Sequence, residues 1–264
     1  MVATVILVLM VLLGSMMILG YLRFNQLVHT DKNMLFNLKG NTEKLVTEKD
    51  MAHLPQILKS YLIIVGVLNQ CRDCHVTFKQ VGSIRQKPNA SWTQFTAKQY
   101  MTADVPGFVW HARSFPMFIR DKSINGTGEI MVSLFGLKKV AMANDGKIAQ
   151  SALCRCLSEL PLYPIGFLSP LITYNVNEDN SLTAVLEING TVAESTFSFN
   201  SEGLIHQIKA ERYKDDVLEN FTGYFENYQK INALYVPTKM KAVWNLKKED
   251  FEYFNCEITD YAIN

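Results

Sequence analysis

The chain has 264 residues and carries 26 lysine and arginine residues against 25 aspartate and glutamate residues, a formal net charge of +1. This balance, without a basic stripe interleaved with aromatic residues, excludes the electrostatic pattern of a nucleic-acid-binding protein. An apolar content of 48% and an aromatic content of 11% exclude a disordered chain. The five cysteines are an odd number, which does not fit the disulfide framework of a small secreted scaffold.

The N-terminal segment Val2 to Leu22 contains no charged side chain and is rich in Val, Ile, Leu and Met. As a helix it would span about 30 Å, the thickness of the hydrocarbon core of a bilayer. A cleaved signal peptide is the alternative, but it requires a basic N-terminal region and a small-residue cleavage site, and neither is present. We therefore predict a single-pass transmembrane anchor over residues 1–22.

The polar residues 23–50 are predicted to form a juxtamembrane stalk, and residues 51–264 a single β-rich domain. Four positive charges follow the apolar segment, at Arg23, Lys32, Lys39 and Lys44. Only the α-amino group precedes it, so the positive-inside rule places the domain on the cytoplasmic side of the cell membrane.

Two short helices are predicted within the domain. The first begins at Pro55, repeats apolar residues at helical spacing and ends at Gly66. The second runs from Lys147 to Leu160 and is stopped by Pro161.

In the remaining segments apolar and polar residues alternate, which predicts about eleven strands joined by tight turns. One long strand is predicted over Glu129 to Val140. Asn125-Gly126 and Asn189-Gly190 are strong hairpin signals, and Asp145-Gly146 marks a further turn. The connections are too short for parallel crossovers, so the sheet must be antiparallel, and strand twist must curl it. We predict an α+β fold in which a curved, mostly antiparallel sheet forms an open half-barrel and the helices lie against its concave side.

Several motifs in a fixed order carry a resemblance to a known family. They include the segment 107–113, Arg120-Asp121, the segment 153–159 and Val236-Pro237 ahead of Trp244. This order resembles an uncharacterised bacterial family known only as a domain of unknown function, whose members often carry an N-terminal membrane helix. The resemblance covers roughly residues 50 to 260.

The resemblance implies one domain, and it gives no activity to carry over. Arg155 and Glu159 match the family's Arg and Glu, and His111, Arg120 and Asp121 are site candidates only through it. The sequence departs from the family at Leu162-Tyr163, where an aromatic pair is usual. In outline, the predicted half-barrel is similar to those of lipoprotein-carrier proteins.

Cys71, Cys74 and His75 match the C-x-x-C-H sequence that attaches c-type haem. The motif runs directly into a predicted strand, and haem attachment does not belong in the cytoplasm. A thiolate or zinc set with Cys154 and Cys156 is no better, because C-x-C is a poor second half. The favoured interpretation is a pair of reduced, partly buried cysteines, and no cofactor or metal site is predicted.

Arg155 and Glu159 are four residues apart and share one helix face. They could form a polar catalytic site in which Glu159 acts as acid or base, or an ordinary ion pair. The ion pair is favoured because no catalytic partner can be identified. Phosphate-loop, nucleophile-elbow and H-E-x-x-H motifs are absent from the sequence.

We therefore predict a non-enzymatic, membrane-anchored module that binds a lipid or other apolar ligand beside the bilayer. Its candidate ligand-binding residues are Phe108, Trp110, Arg155, Glu159 and Trp244. The alternatives are a hydrolase-like enzyme that uses Glu159 in a polar pocket, and a c-type haem protein that uses Cys71, Cys74 and His75.

Overall fold

The computed structural model of the chain describes residues 1–38 and 44–264. Lys39, one of the four charges used to predict orientation, lies outside the described residues. The α-helices of the described part are α1 (Val2–Phe36), α2 (Gln56–Ile64) and α3 (Gly146–Ser158), with short 3₁₀ helices at Glu48–Met51, Leu160–Leu162 and Pro164–Leu168.

The described strands form one antiparallel sheet of 13 strands, in the order β6-β5-β4-β3-β2-β1-β13-β12-β11-β10-β9-β8-β7. Their bounds are β1 His75–Ile84, β2 Thr93–Thr102, β3 Gly107–Ser114, β4 Met117–Ile124, β5 Thr127–Leu134, β6 Lys138–Ala143, β7 Ile172–Val176, β8 Leu182–Ile188, β9 Thr191–Phe199, β10 Ile205–Lys214, β11 Val217–Ile231, β12 Leu234–Asn245 and β13 Asp250–Ile263. The predicted α+β half-barrel is confirmed.

The sheet consists of two meanders joined by pairing of β1 with β13. The chain leaves the edge strand β6, passes through α3 and returns at the other edge strand, β7. α3 therefore crosses the concave side, where it buries Ala152, Leu153, Cys156 and Leu157. Most of the large buried side chains belong to this concave core.

The predicted helices and hairpins lie close to their observed positions. Asn125-Gly126 and Asn189-Gly190 both adopt the positive φ angles of hairpin turns. Asp145 was predicted to mark a turn; its carboxylate instead caps α3 by accepting hydrogen bonds from the backbone of Lys147 and Ile148.

The single long strand predicted over Glu129 to Val140 was wrong. The chain turns back at Phe135 and Gly136, whose φ values are 53° and 73°, and this turn separates β5 from β6. Gly136 approaches α1 so closely that a Cβ there would overlap the carbonyl oxygen of Gly20. A contact with a distant helix, which a local pattern does not reveal, fixes this turn.

The helix α1 continues well beyond the apolar segment, to Phe36. Its second half covers residues 23–36, which were predicted to belong to the stalk, and it packs on the convex face of β2 to β5. Phe24, Val28 and Leu35 are buried there against Val109 and Met131, in a second, smaller core. The spacing of four and seven residues places these three side chains on one helix face.

The first part of α1 projects away from the domain. A Cβ on Gly20 would overlap the carbonyl oxygen of Phe135, so the helix is in tight contact with the β5–β6 turn at this point. From Val2 to Leu19 nearly every side chain is exposed. α1 is long and apolar enough to cross a membrane.

A candidate ligand-binding cavity

The concave side of the half-barrel contains a cavity of about 330 Å³ between α3 and the strands. Most of the residues that line it are apolar: Ile84, Trp110, Ile119, Ile130, Val132, Ile208, Phe221, Gly223, Phe225, Met240, Ala242, Trp244, Tyr253 and Phe254. The polar ones are Gln86, Asp121, Arg155, Ser158, Glu159, Arg212 and Lys241. A shallower groove on β9 to β11 includes Glu194, Lys209 and Glu211 and has a polar wall.

Strand alternation builds the apolar wall of the cavity, because every second residue of a strand points to the same face. Three of its aromatic rings form a continuous surface. The ring centroids of Phe221 and Trp244 are 5.4 Å apart, in an edge-to-face arrangement, and those of Trp244 and Tyr253 are 5.6 Å apart and stacked. These distances are typical of favourable aromatic pairs.

A buried polar network lies at one side of the cavity, with Arg155 at its centre. Its Nε lies 2.8 Å from Glu159 Oε1, and its Nη1 lies 2.7 Å from Asp121 Oδ2. Gln99 closes the network, since it donates to Glu159 Oε2 at 2.6 Å and accepts from Arg155 Nη2 at 3.2 Å. The guanidinium also lies over the rings of Phe108 and Trp110, at 4.6 and 5.1 Å.

Each charged side chain of this network has a partner of opposite charge. Burial acts to lower the pKa of Arg155, but the charges of Glu159 and Asp121 outweigh it and raise the pKa above its ordinary value. Both carboxylate oxygens of Glu159 accept hydrogen bonds from side chains. The ion pair considered from the sequence is therefore present, and Glu159 is held by its partners rather than presented as an open base.

The structure brings together four of the five predicted binding residues, because Trp110, Arg155, Glu159 and Trp244 all line the cavity. Phe108 lies behind them and contacts the guanidinium of Arg155. Sequence reasoning missed Arg212 as a lining residue. The inward alternation of Ile208, Ala210 and Arg212 along β10 was the signal that could have found it.

The candidates that came only from the resemblance are divided between the two faces of the sheet. Asp121 faces the cavity, whereas its neighbour Arg120 faces α1 on the convex side. His111 is also on the convex side, where Phe24 and Tyr100 flank its ring. Burial, together with the nearby charges of Arg113 and Lys98, lowers the pKa of His111 to about 4.

The prediction of reduced cysteines at positions 71 and 74 was wrong, because Cys71 and Cys74 form a disulfide. The short C-x-x-C spacing brings the two sulfurs together. In this state neither sulfur is a thiol that could add to a haem vinyl group. Cys154 and Cys156 are buried inside the half-barrel as free thiols, and burial raises the pKa of each. No cluster of three or more metal-ligating side chains occurs within residues 1–38 and 44–264.

The cavity and the projecting part of α1 lie at the same end of the strands. In an antiparallel meander alternate turns lie at the same end of the strands, so the β1–β2, β3–β4, β5–β6 and β12–β13 turns share one end. α1 passes this end of the strands at the β5–β6 turn. Gln86, an exposed residue of the β1–β2 turn, also lines the cavity. The cavity therefore opens near the same end of the strands.

Fold and site together define a single-sheet half-barrel protein with a mainly apolar cavity beneath a crossing helix. The chain belongs to the Family of unknown function (DUF6544), whose model matches residues 44–256. The family resemblance noted from the motifs is thereby confirmed. No curated protein matches the chain.

Solved structures with a similar outline include a LolA superfamily protein from Nitrosomonas europaea. It is 12% identical, with a TM-score of 0.43 and coverage of 78% of this chain and 93% of that one. Another is a DUF1329 family protein from Desulfovibrio piger, which is also 12% identical, with a TM-score of 0.44 and coverage of 72% and 85%.

Proposed function

We propose that the protein is a membrane-anchored binding module that holds a lipid or another apolar ligand in the concave cavity. The observation that carries this proposal is the composition of the cavity wall, in which aromatic and aliphatic side chains surround one closely satisfied polar network. Apolar walls with a few fixed polar groups are typical of sites for small apolar ligands.

The size of the cavity limits the ligand. Its volume of about 330 Å³ is at the lower end of the range of about 300–1,000 Å³ for small-molecule sites. This volume favours a ligand with one acyl chain, or a compact apolar molecule, over a lipid with several chains. Ala242 contributes to the open space, because it faces the cavity and carries only a methyl group.

The membrane is the proposed source of the ligand. Tight packing of Gly20 against Phe135 makes α1 part of the folded protein, which supports an anchor rather than a removable signal. The β3–β4 turn, at the same end of the strands, carries Phe115, which is 77% exposed and in ring contact with Phe135. An exposed apolar ring of this kind favours the boundary between the headgroups and the acyl chains of a bilayer.

We further propose that the domain lies outside the cytoplasm. The charge pattern after α1 favours the cytoplasmic side, but its bias is small. The Cys71–Cys74 disulfide supports the opposite side, because disulfides persist in oxidising compartments and are rare in the cytosol. This assignment replaces the orientation expected from the sequence.

Equilibrium binding of a fluorescent fatty acid to the purified, delipidated full-length protein tests the proposal. We expect saturable binding by the wild-type chain and its loss in Ala242→Phe, because the new ring would fill the cavity. Ala233→Phe, at an exposed turn, is the matched control and should bind like the wild type. Absence of binding by the wild-type chain would overturn the proposal.

A further inference from the structure

Arg212 is a buried cation in the wall of the cavity, and only 8% of its surface is exposed. It lies on β10, in the inward-facing row that contains Ile208 and Ala210. Its Nε donates to the backbone oxygen of Ser151 in α3 at 3.2 Å. Its guanidinium lies over the rings of Phe221 and Trp244, at 4.7 and 5.6 Å from their centroids. The side chain is therefore held in place against the aromatic wall.

The surroundings of Arg212 differ from those of the cavity's other arginine. Arg155 is paired with two carboxylates, those of Glu159 and Asp121. Within the described residues, Arg212 forms no ion pair with a carboxylate. Its two terminal nitrogens also donate no hydrogen bond to any atom of those residues. One cavity thus contains one neutralised and one unneutralised guanidinium.

An unneutralised guanidinium in such a place is unfavourable for the empty protein. Arginine does not lose its proton in proteins, so it cannot escape the penalty of burial by becoming neutral. The contacts with the rings and with Ser151 compensate for part of the lost hydration, but they supply no negative charge. A ligand anion would supply that charge, and the terminal nitrogens could bind two oxygens of a carboxylate or phosphate side by side.

We propose that the ligand is an anionic amphiphile, in which a carboxylate or phosphate binds Arg212 and the apolar chain lies along Phe225, Met240 and Phe254. This inference rests on the proposed function and adds the charge of the ligand. The same residues line one cavity, so a single molecule can make both contacts.

The experiment compares charged and uncharged partners of equal chain length. Hexadecanoate is measured against its methyl ester, and a 16-carbon lysophosphatidate against the corresponding monoacylglycerol, on the delipidated full-length protein. We expect each anion to bind about tenfold more tightly than its neutral partner. This ratio corresponds to a difference of about 1.4 kcal/mol in binding free energy. The pair with the larger preference identifies which anion, carboxylate or phosphate, the site recognises.

Two variants assign the preference to Arg212. Arg212→Gln should reduce it to less than about threefold while binding of the methyl ester persists, and Arg212→Lys should retain part of it. Lys209→Gln, on the same strand but exposed, is the matched control and should keep the full preference.

The failures of the two proposals are distinguishable. If the wild-type chain binds neither the acids nor the neutral partners, the proposed function is wrong. If it binds both equally, the function stands and the anionic ligand is wrong. A preference that survives unchanged in Arg212→Gln would also overturn the inference, because another group would then recognise the anion.

Discussion

Asp31 of α1 and Arg120 of β4 form an ion pair between this helix and the convex face of the sheet, with 2.6 Å between Oδ2 and Nη1. Only 5% and 8% of their side chains are exposed. Asp31 also pairs with Lys122 at 2.7 Å, and Arg120 with Glu129. α1 is thus attached to the domain by a buried charge network as well as by the small core around Phe24.

Replacing Asp31 with asparagine should strongly destabilise the docking of α1. Removal of one partner from a buried ion pair leaves an uncompensated charge and destabilises by about 3–5 kcal/mol. Thermal unfolding of the full-length protein in detergent measures this loss. Asp260→Asn, which removes the exposed pair with Lys79, is the control and should change stability by less than about 1 kcal/mol. Equal effects of the two substitutions would show that the network does not fix α1.

His111 should make the stability of the domain depend on pH between about 4 and 6.5. The unfolded chain takes up a proton at His111 as the pH falls below 6.5, but the folded chain does so only near pH 4. Stability therefore decreases as the pH falls through this window, by up to about 3 kcal/mol, since one pKa unit corresponds to about 1.36 kcal/mol.

The measurement is the free energy of unfolding at a series of pH values for the wild type and for His111→Gln. The variant should lose this component of the pH dependence. His206→Gln, at an exposed position of β10, should retain it. A curve for His111→Gln that runs parallel to that of the wild type would contradict the assignment.

Phe115 should contact the lipid headgroups when the protein is in a bilayer. In Phe115→Cys, labelled with an environment-sensitive fluorophore and reconstituted into vesicles, we expect a blue-shifted emission that spin-labelled lipids quench. Ile63→Cys is the control, because Ile63 is 55% exposed on α2, beside the opposite edge of the sheet. Equal quenching at both positions would contradict the proposed orientation of the domain towards the membrane.

The same Ile63→Cys variant tests the side of the membrane. If the domain lies outside the cytoplasm, a membrane-impermeant maleimide should label this cysteine in intact cells. Cys71 and Cys74 should resist alkylation until a reductant is added, because they are joined in a disulfide. Labelling of Ile63→Cys only after lysis would instead place the domain in the cytoplasm.

The sequence predicts much of this fold because the relevant signals are local. Alternating apolar residues and turns such as Asn125-Gly126 give the antiparallel meander, and twist gives the half-barrel. The turn at Phe135 escaped prediction because a phenylalanine with positive φ has no sequence signature and a contact with Gly20 stabilises it. The docking of residues 23–36 also escaped prediction, since the face that Phe24, Val28 and Leu35 share is narrow and is interrupted by Asp31.

The site was predictable in part. Arg155 and Glu159 could be paired from their spacing alone, and the inward aromatic residues from alternation. That Arg120 and Asp121 would face opposite sides also follows from alternation, but their separate partners, Asp31 and Arg155, come from distant elements. The Cys71–Cys74 disulfide could not be predicted because the same motif also suits haem attachment or free thiols.

The most direct test of the central claim is photocross-linking of a diazirine-bearing fatty acid to the full-length protein in vesicles, with the labelled peptides mapped by mass spectrometry. We predict labels on cavity-lining segments of β11, β12 and β13, reduced at least about tenfold in Ala242→Phe, because that ring occupies the ligand's space. Ala233→Phe should leave the labels unchanged. Labels confined to α1 and the outer surface, equal in all three proteins, would contradict the claim that the cavity binds an apolar ligand.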